Sequence, residues 1–236
     1  MIKSNINILS TGILEQKLLT LAESHNILID VIPFISTDLV DLNDNSNRIR
    51  QLLLQPCTVV FTSINAVLAV SAFFSKPPEW SIYCMENATL ELVSEKFGKE
   101  KVIGCATDAG SLVKKIISNK QVEQLVFFCG NLKRDELPKI AKSNGIEVEE
   151  IIVYKTTKTP LKINKKYDGV IFYSPSGVES FFSLNTVSEG TRFFAIGKTT
   201  ARAFQKFSQS DITISNTPSK QNLIEGLIEQ YNNLNV

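Results

Sequence analysis

The chain has 236 residues, 43% of them hydrophobic, and a formal net charge of +1 at neutral pH. That supplies one large core or two small ones, and no long-range field for nucleic acid or an anionic membrane surface. No stretch approaches the ~20 apolar residues of a spanning helix, and Met1–Ile8 runs straight into an alternating pattern with no signal-peptide core, so a cytoplasmic protein is expected.

In chain order, Ile6–Leu9 reads as a strand, Glu15–Ser24 as a helix and Ile27–Ile32 as the next strand. Thr58–Thr62 is a strand with a helix after Asn65. Ile82–Met85 and Lys101–Ile103 are short strands, each followed by a helix. Leu125–Cys129 is a strand, a helix covers about Arg134–Ser143, and Val148–Tyr154 is extended. Gly169–Tyr173, Arg192–Ile196 and Asp211–Ser215 are strands, each leading into a helix, the last of which ends at Asn232. Alternating strands and helices imply parallel sheets with helices on both faces.

An internal repeat organises these elements. Val59–Val67 resembles Val170–Val178, Ile82–Thr89 resembles Phe193–Thr200, and Lys101–Val113 resembles Asp211–Leu223. The strand-helix-strand at Leu125–Tyr154 closes the first copy; its counterpart, Ile6–Ile35, stands at the start of the chain. The expected fold is therefore α/β: two similar doubly wound parallel-sheet domains joined by a two-stranded connector, with a cleft between them. Residues 1–33 plus 158–236 form a discontinuous domain, 37–153 an inserted one, and 33–37 and 153–158 the connector strands. Two adjacent crossings make a hinge.

Cys57, Cys84, Cys105 and Cys129 are dispersed in apolar, strand-like runs, and His25 is the one histidine. No metal site and no Ser-His or Cys-His catalysis is expected from that set. Ligands of parallel sheets bind beyond the carboxyl ends of the strands. Those ends carry Thr62-Ser63 with Asn65, Thr89, Asn131 with Lys133 and Arg134, Ser174 with Ser176 and Gly177, Lys198-Thr199-Thr200, and Thr217 with Ser219. Each turn by itself is a helix N-cap. Together they line a rim with hydroxyls, free backbone N–H groups and a few cations, suited to several carboxylates or phosphates. Tyr154, in the second crossing strand, is a candidate proton donor, because an ordinary phenol stays protonated at neutral pH. A two-lobed anion-binding protein and a sugar-phosphate isomerase-like domain also fit this rim, although the latter calls for a Glu or His base that the repeat does not clearly supply.

Phe61–Val67, Cys129–Pro138, Val153–Thr156, Phe172–Gly177 and Ala195–Ala203, with Thr217-Pro218-Ser219, resemble in order the motifs of uroporphyrinogen-III synthase. The resemblance implies two α/β domains on a two-stranded connector. It also implies cyclisation of the linear tetrapyrrole hydroxymethylbilane with loss of water and inversion of ring D, without cofactor or metal. The partner is then a small polycarboxylate tetrapyrrole, with no nucleic acid or membrane, and the enzyme is a monomer. The family's candidate acid tyrosine falls on Tyr154, its rim threonines on Thr89 and Thr200, and its rim serine on Ser174. One departure is Glu86, where the family usually has Gly; a carboxylate there repels an anionic substrate if it faces the ligand.

Overall fold

The computed structural model describes residues 5–39, 45–187 and 189–233. Residues 1–4 and 234–236 of the expected discontinuous domain, with 188, and 40–44 of the inserted one lie outside the described residues. In chain order the elements are β1 (Ile6–Ser10), α1 (Gln16–Glu23), β2 (Ile27–Val31), β3 (Ile35–Leu39), α2 (Ser46–Leu53), β4 (Cys57–Phe61), α3 (Ile64–Ser71), β5 (Trp80–Met85) and α4 (Ala88–Phe97). Then follow β6 (Val102–Ala106), α5 (Ala109–Ser118), β7 (Gln124–Gly130), α6 (Glu136–Ser143), β8 (Glu147–Lys158), β9 (Gly169–Phe172), α7 (Pro175–Phe182), β10 (Arg192–Ala195), α8 (Lys198–Phe204), β11 (Ile212–Ile214) and α9 (Lys220–Asn233).

Two compact units result: one takes the chain up to Ser36 and from Thr157 onward, the other Thr37–Thr156. The division falls inside β3 and inside β8, which are neighbours in one sheet. The discontinuous unit has a five-stranded sheet in the order β11-β10-β9-β1-β2; the inserted unit has the order β3-β8-β7-β4-β5-β6. Reading the second backwards, β6, β5, β4, β7 and β8 stand where β11, β10, β9, β1 and β2 stand in the first. This is the interlaced repeat of the sequence in three dimensions, with β3 as an added edge.

In the inserted unit α2, α3 and α4 cover one face, burying Ile49, Val67, Val93 and Phe97 against Val59, Phe61 and Phe128. Helices α5 and α6 cover the other, burying Leu112, Ile116 and Leu137 against Val60, Tyr83 and Phe127. The discontinuous unit repeats the plan, with α1 and α9 on one face and α7 and α8 on the other. Strands covered on both faces read as continuous apolar runs rather than alternating ones; Val59-Val60-Phe61 is fully buried for that reason. Registers such as Phe61↔Phe128 stack rings across strands, here at 5.5 Å between centroids.

Two elements differ from the sequence reading. Helix α2 falls in a segment with no assigned element; it is short and polar, and only Ile49 and Leu52 are buried. The strand expected at Lys101–Ile103 lies at Val102–Ala106, because a 3-10 turn takes Lys99–Lys101. β8 runs on past Tyr154 to Lys158, along the segment expected as the second connector strand.

Candidate active-site rims

At the carboxyl end of β4, Ser63 is the N-cap of α3, its Oγ accepting from the Asn65 N–H at 3.1 Å. The equivalent Ser174 caps α7, accepting from the Gly177 N–H at 3.1 Å, and shares a 3.1 Å hydrogen bond with Ser176. Thr62 is half-buried beside Ser63. Thr89 and Thr200, the third positions of matching turns, are both buried, at 7% and 1% exposure, in the first turns of α4 and α8. Lys198 and Thr199 are exposed next to Thr200. Ser219 precedes α9 and accepts from the Asn222 N–H at 3.1 Å, while the carbonyl of Thr217 takes the Ser215 hydroxyl at 2.6 Å. The structure thus brings each group of expected residues to the carboxyl ends of its own unit's strands.

Tyr154 belongs to the inserted unit. The β7–β8 register shifts between Cys129 and Gly130, so Gly130 pairs with Tyr154 instead of Val153. The Tyr154 ring then lies over Gly130: a Cβ on that glycine would meet ring carbons at 2.4 Å and the hydroxyl at 2.9 Å. Burial raises the Tyr154 phenol above its ordinary value, and Ser63, as hydrogen-bond partner, pulls it partly back. The phenol is therefore a neutral donor at any physiological pH.

The neighbouring loop is held by its own side chains. The Asn131 amide donates to the Thr156 carbonyl at 3.2 Å and accepts from the Thr156 N–H at 2.7 Å, extending the ladder past the bulge. Lys133 binds Asp135 at 2.8 Å and Glu150 at 2.5 Å, which hold its ammonium above the usual lysine range. Among the described residues Arg134 and Lys198 form no ion pair. On the β5–α4 turn Glu86 is half-buried, its N–H donating to the Ala106 carbonyl at 2.9 Å. Asn87 takes φ 61°, ψ −133°, a backbone region that favours glycine.

The discontinuous unit has its own tyrosine seat, which the sequence reading did not single out. Tyr173 follows β9, its hydroxyl 3.0 Å from Ser10 Oγ, and a Cβ on Gly12 would meet its ring at 2.7 Å. The Tyr173 phenol is raised by burial. A cavity of about 100 Å³ lined by Lys162, Lys165, Tyr167, Asn185 and Thr191 lies at the amino ends of this sheet, away from the rim. Among the described residues no three His, Cys, Asp or Glu side chains are grouped to hold a metal, and no helix is long and apolar enough to cross a membrane.

The profile of the family described as uroporphyrinogen-III synthase HemD matches residues 16–225. The chain belongs to this family. Solved uroporphyrinogen-III synthases share its fold. The protein from Helicobacter pylori is similar with a TM-score of 0.64 and 16% identity, over 95% of this chain and 99% of that one. A mutant form from Thermus thermophilus has a TM-score of 0.69 at 14% identity, over 97% and 99%, and the wild-type form 0.57 at 13%, over 98% and 100%. At such identity the HemD fold is shared with few residues in common.

Proposed function

We propose that this HemD-family chain cyclises hydroxymethylbilane to uroporphyrinogen III, with Tyr154 as the proton donor. The observation that carries the assignment is the Tyr154–Gly130–Ser63 seat, which fixes a neutral phenol at the carboxyl end of a parallel sheet. Loss of the substrate's hydroxyl requires a proton, which a phenol delivers as water departs. The substituted carbon of ring D then attacks, giving a spiro intermediate whose rearrangement returns a proton. Free in water the same bilane closes head to tail and gives the symmetric isomer. The enzyme's contribution is therefore chiefly to hold a conformation.

The carboxylates would be held by the N–H groups and hydroxyls of the rim turns: Thr62, Ser63 and Asn65; Thr89; Ser174, Ser176 and Gly177; Thr199 and Thr200; Thr217 and Ser219. Arg134 and Lys198 add positive charge. Asn131 and Lys133 serve indirectly, by fixing the Gly130–Arg134 loop under Tyr154. The reaction needs no cofactor or metal in this reading, and runs in the cytoplasm on a single copy of the chain.

The test supplies freshly made hydroxymethylbilane and separates the isomers formed. Type III product is expected; type I alone would refute the assignment. Tyr154→Phe is expected to lower turnover about 100-fold and to leave product affinity within a few fold. Unchanged turnover would remove Tyr154 from the mechanism.

A further inference from the structure

Cys84 on β5 and Cys105 on β6 stand directly opposite one another in parallel register. Both side chains lie on the sheet face covered by α2, α3 and α4: Cys84 is part of that core and Cys105 packs against it. Both thiols are free; Cys84 has no solvent exposure and Cys105 is half-buried. Opposite positions on neighbouring strands lie about 4.8 Å apart, inside the roughly 4.4–6.8 Å window that a disulfide needs between Cα atoms. The thiols also share one electrostatic environment. Burial first, and then a charge on Cys105, push Cys84 up to about 12. Cys84 is thus a poor first nucleophile, and Cys105 is the thiol that meets solvent.

Two features make closure feasible and consequential. β6 is the edge strand, paired on one side, and its register with β5 shifts between Ile82 and Tyr83; a bulged edge strand has room to move toward its neighbour. Both strands also end just above the cysteines in rim turns, β5 in Glu86–Thr89 and β6 in Thr107–Asp108, and the Glu86 N–H bonds the Ala106 carbonyl between them.

We propose that Cys84 and Cys105 form a reversible thiol–disulfide switch, closed by an oxidant of the peroxide class, that restrains the β5–α4 and β6–α5 turns and so slows the enzyme. Cys105 Sγ attacks a peroxide oxygen; the O–O bond breaks, one water leaves and a sulfenic acid remains. Cys84 Sγ then attacks Cys105 Sγ, the S–O bond breaks and a second water leaves. Two thiols lose two electrons and two protons, and one hydrogen peroxide becomes two waters. Cys105 is only half-buried, and a bridge that solvent reaches is readily reduced by thiols.

The effect on turnover rests on the synthase reading above; the cross-link does not. The test treats the full chain with a few equivalents of hydrogen peroxide, alkylates the remaining thiols under denaturing conditions and maps peptides without reduction. The expected product links the Cys84 and Cys105 peptides with the loss of two hydrogens, and leaves Cys57 and Cys129 alkylated. Amide exchange over Glu86–Thr89 and Thr107–Ser111 is expected to slow on linkage. Turnover is expected to fall at least about fivefold and to return with dithiothreitol, while Cys105→Ser keeps its basal rate and becomes indifferent to peroxide. Sulfinic acid on an unlinked Cys105, or a bridge through Cys57 or Cys129, would overturn the pairing. A Cys84–Cys105 bridge that leaves both exchange and turnover unchanged would overturn the switch. A chain that forms the bridge with slowed exchange yet makes no type III isomer would refute the synthase reading and leave the pair standing.

Discussion

Replacing Gly130 by alanine tests the tyrosine seat most directly. The added Cβ would stand 2.4 Å from two ring carbons of Tyr154. Ordinary carbon contacts begin about 1 Å further out. The ring must swing away, or β7 and β8 must part where Asn131 and Thr156 clamp them. Overpacking of this kind costs about 1–3 kcal/mol. The clamp directs the strain to the ring, the element with more freedom, so Gly130→Ala is expected to lose about 1–2 kcal/mol of stability in urea unfolding. Turnover should suffer more, because a displacement of about 1 Å at a reacting group costs on the order of 100-fold.

The two effects separate in a double-mutant cycle with Tyr154→Ala, which removes the ring that alanine would meet. In that background Gly130→Ala should cost less than about 0.5 kcal/mol, leaving a coupling of about 1 kcal/mol or more between the two positions. Urea unfolding of the four proteins and the isomer assay on each supply the numbers. An unaltered Gly130→Ala enzyme, or a stability cost that persists when the ring is gone, would refute the account.

At Asn87, glycine is expected to relieve a strained backbone and stabilise the chain by about 1 kcal/mol in urea unfolding; no gain would mean that the positive φ is already compensated. Lys198→Ala is expected to raise KM several-fold, with folding unaffected, whereas Lys133→Ala is expected to cost about 1 kcal/mol of stability by leaving Asp135 with Lys139 alone and Glu150 with Lys142 alone; steady-state kinetics and urea unfolding, run side by side, would show the contrast or abolish it. Burial raises Cys84 to about 12 and Cys129 to about 11. The folded chain then holds protons that the unfolded one releases above about pH 8.5, so this contribution is whole below that pH and falls by at most about 1.4 kcal/mol per pH unit for each thiol as pH rises toward 11. Melting temperature against pH, with Cys84→Ala and Cys129→Ala flattening the decline, is the measurement.

The strand order was legible because the repeat carries it. Val59-Val60-Phe61-Thr62-Ser63 and Val170-Ile171-Phe172-Tyr173-Ser174 are matching strand ends, and the unit at Ile6–Ile35 could complete only the second copy. Helix α2 was not legible, since two buried residues give too little periodicity to stand out from a polar run. The rim's capping serines show in sequence, because a cap is a local bond: Ser63 to Asn65, Ser174 to Gly177. The ties that decide how a rim residue is used are not local. Lys133 meets Glu150 from the next strand, Asn131 meets Thr156 across the ladder, and the seat under Tyr154 exists because a bulge slips the register by one residue. Gly130 opening the Gly-Asn-Leu-Lys run was the available signal; a glycine closing a buried strand marks close approach by another group.

The repeat gives each unit the same arrangement of turns, yet the side chains on the two rims have diverged. Around the carboxyl ends of the discontinuous unit, Lys198 and Lys220 form no close ion pair among the described residues; Lys220 donates to the Ile13 carbonyl at 2.8 Å, lies over the Tyr173 ring and acts at longer range on Glu15. Around those of the inserted unit, Lys133 is neutralised by Asp135 and Glu150, and Glu86 and Asp108 add negative charge. That second rim instead carries Tyr154. Its place follows from topology, because the chain enters the inserted unit through β3 and leaves it through β8. There the β7–β8 bulge sets Tyr154 over Gly130, whereas in the discontinuous unit Tyr173 follows β9 and meets Ser10. The four residues that β8 adds beyond Tyr154 carry the chain out of the inserted unit, and the phenol that we propose as the acid stands at the bulge before them.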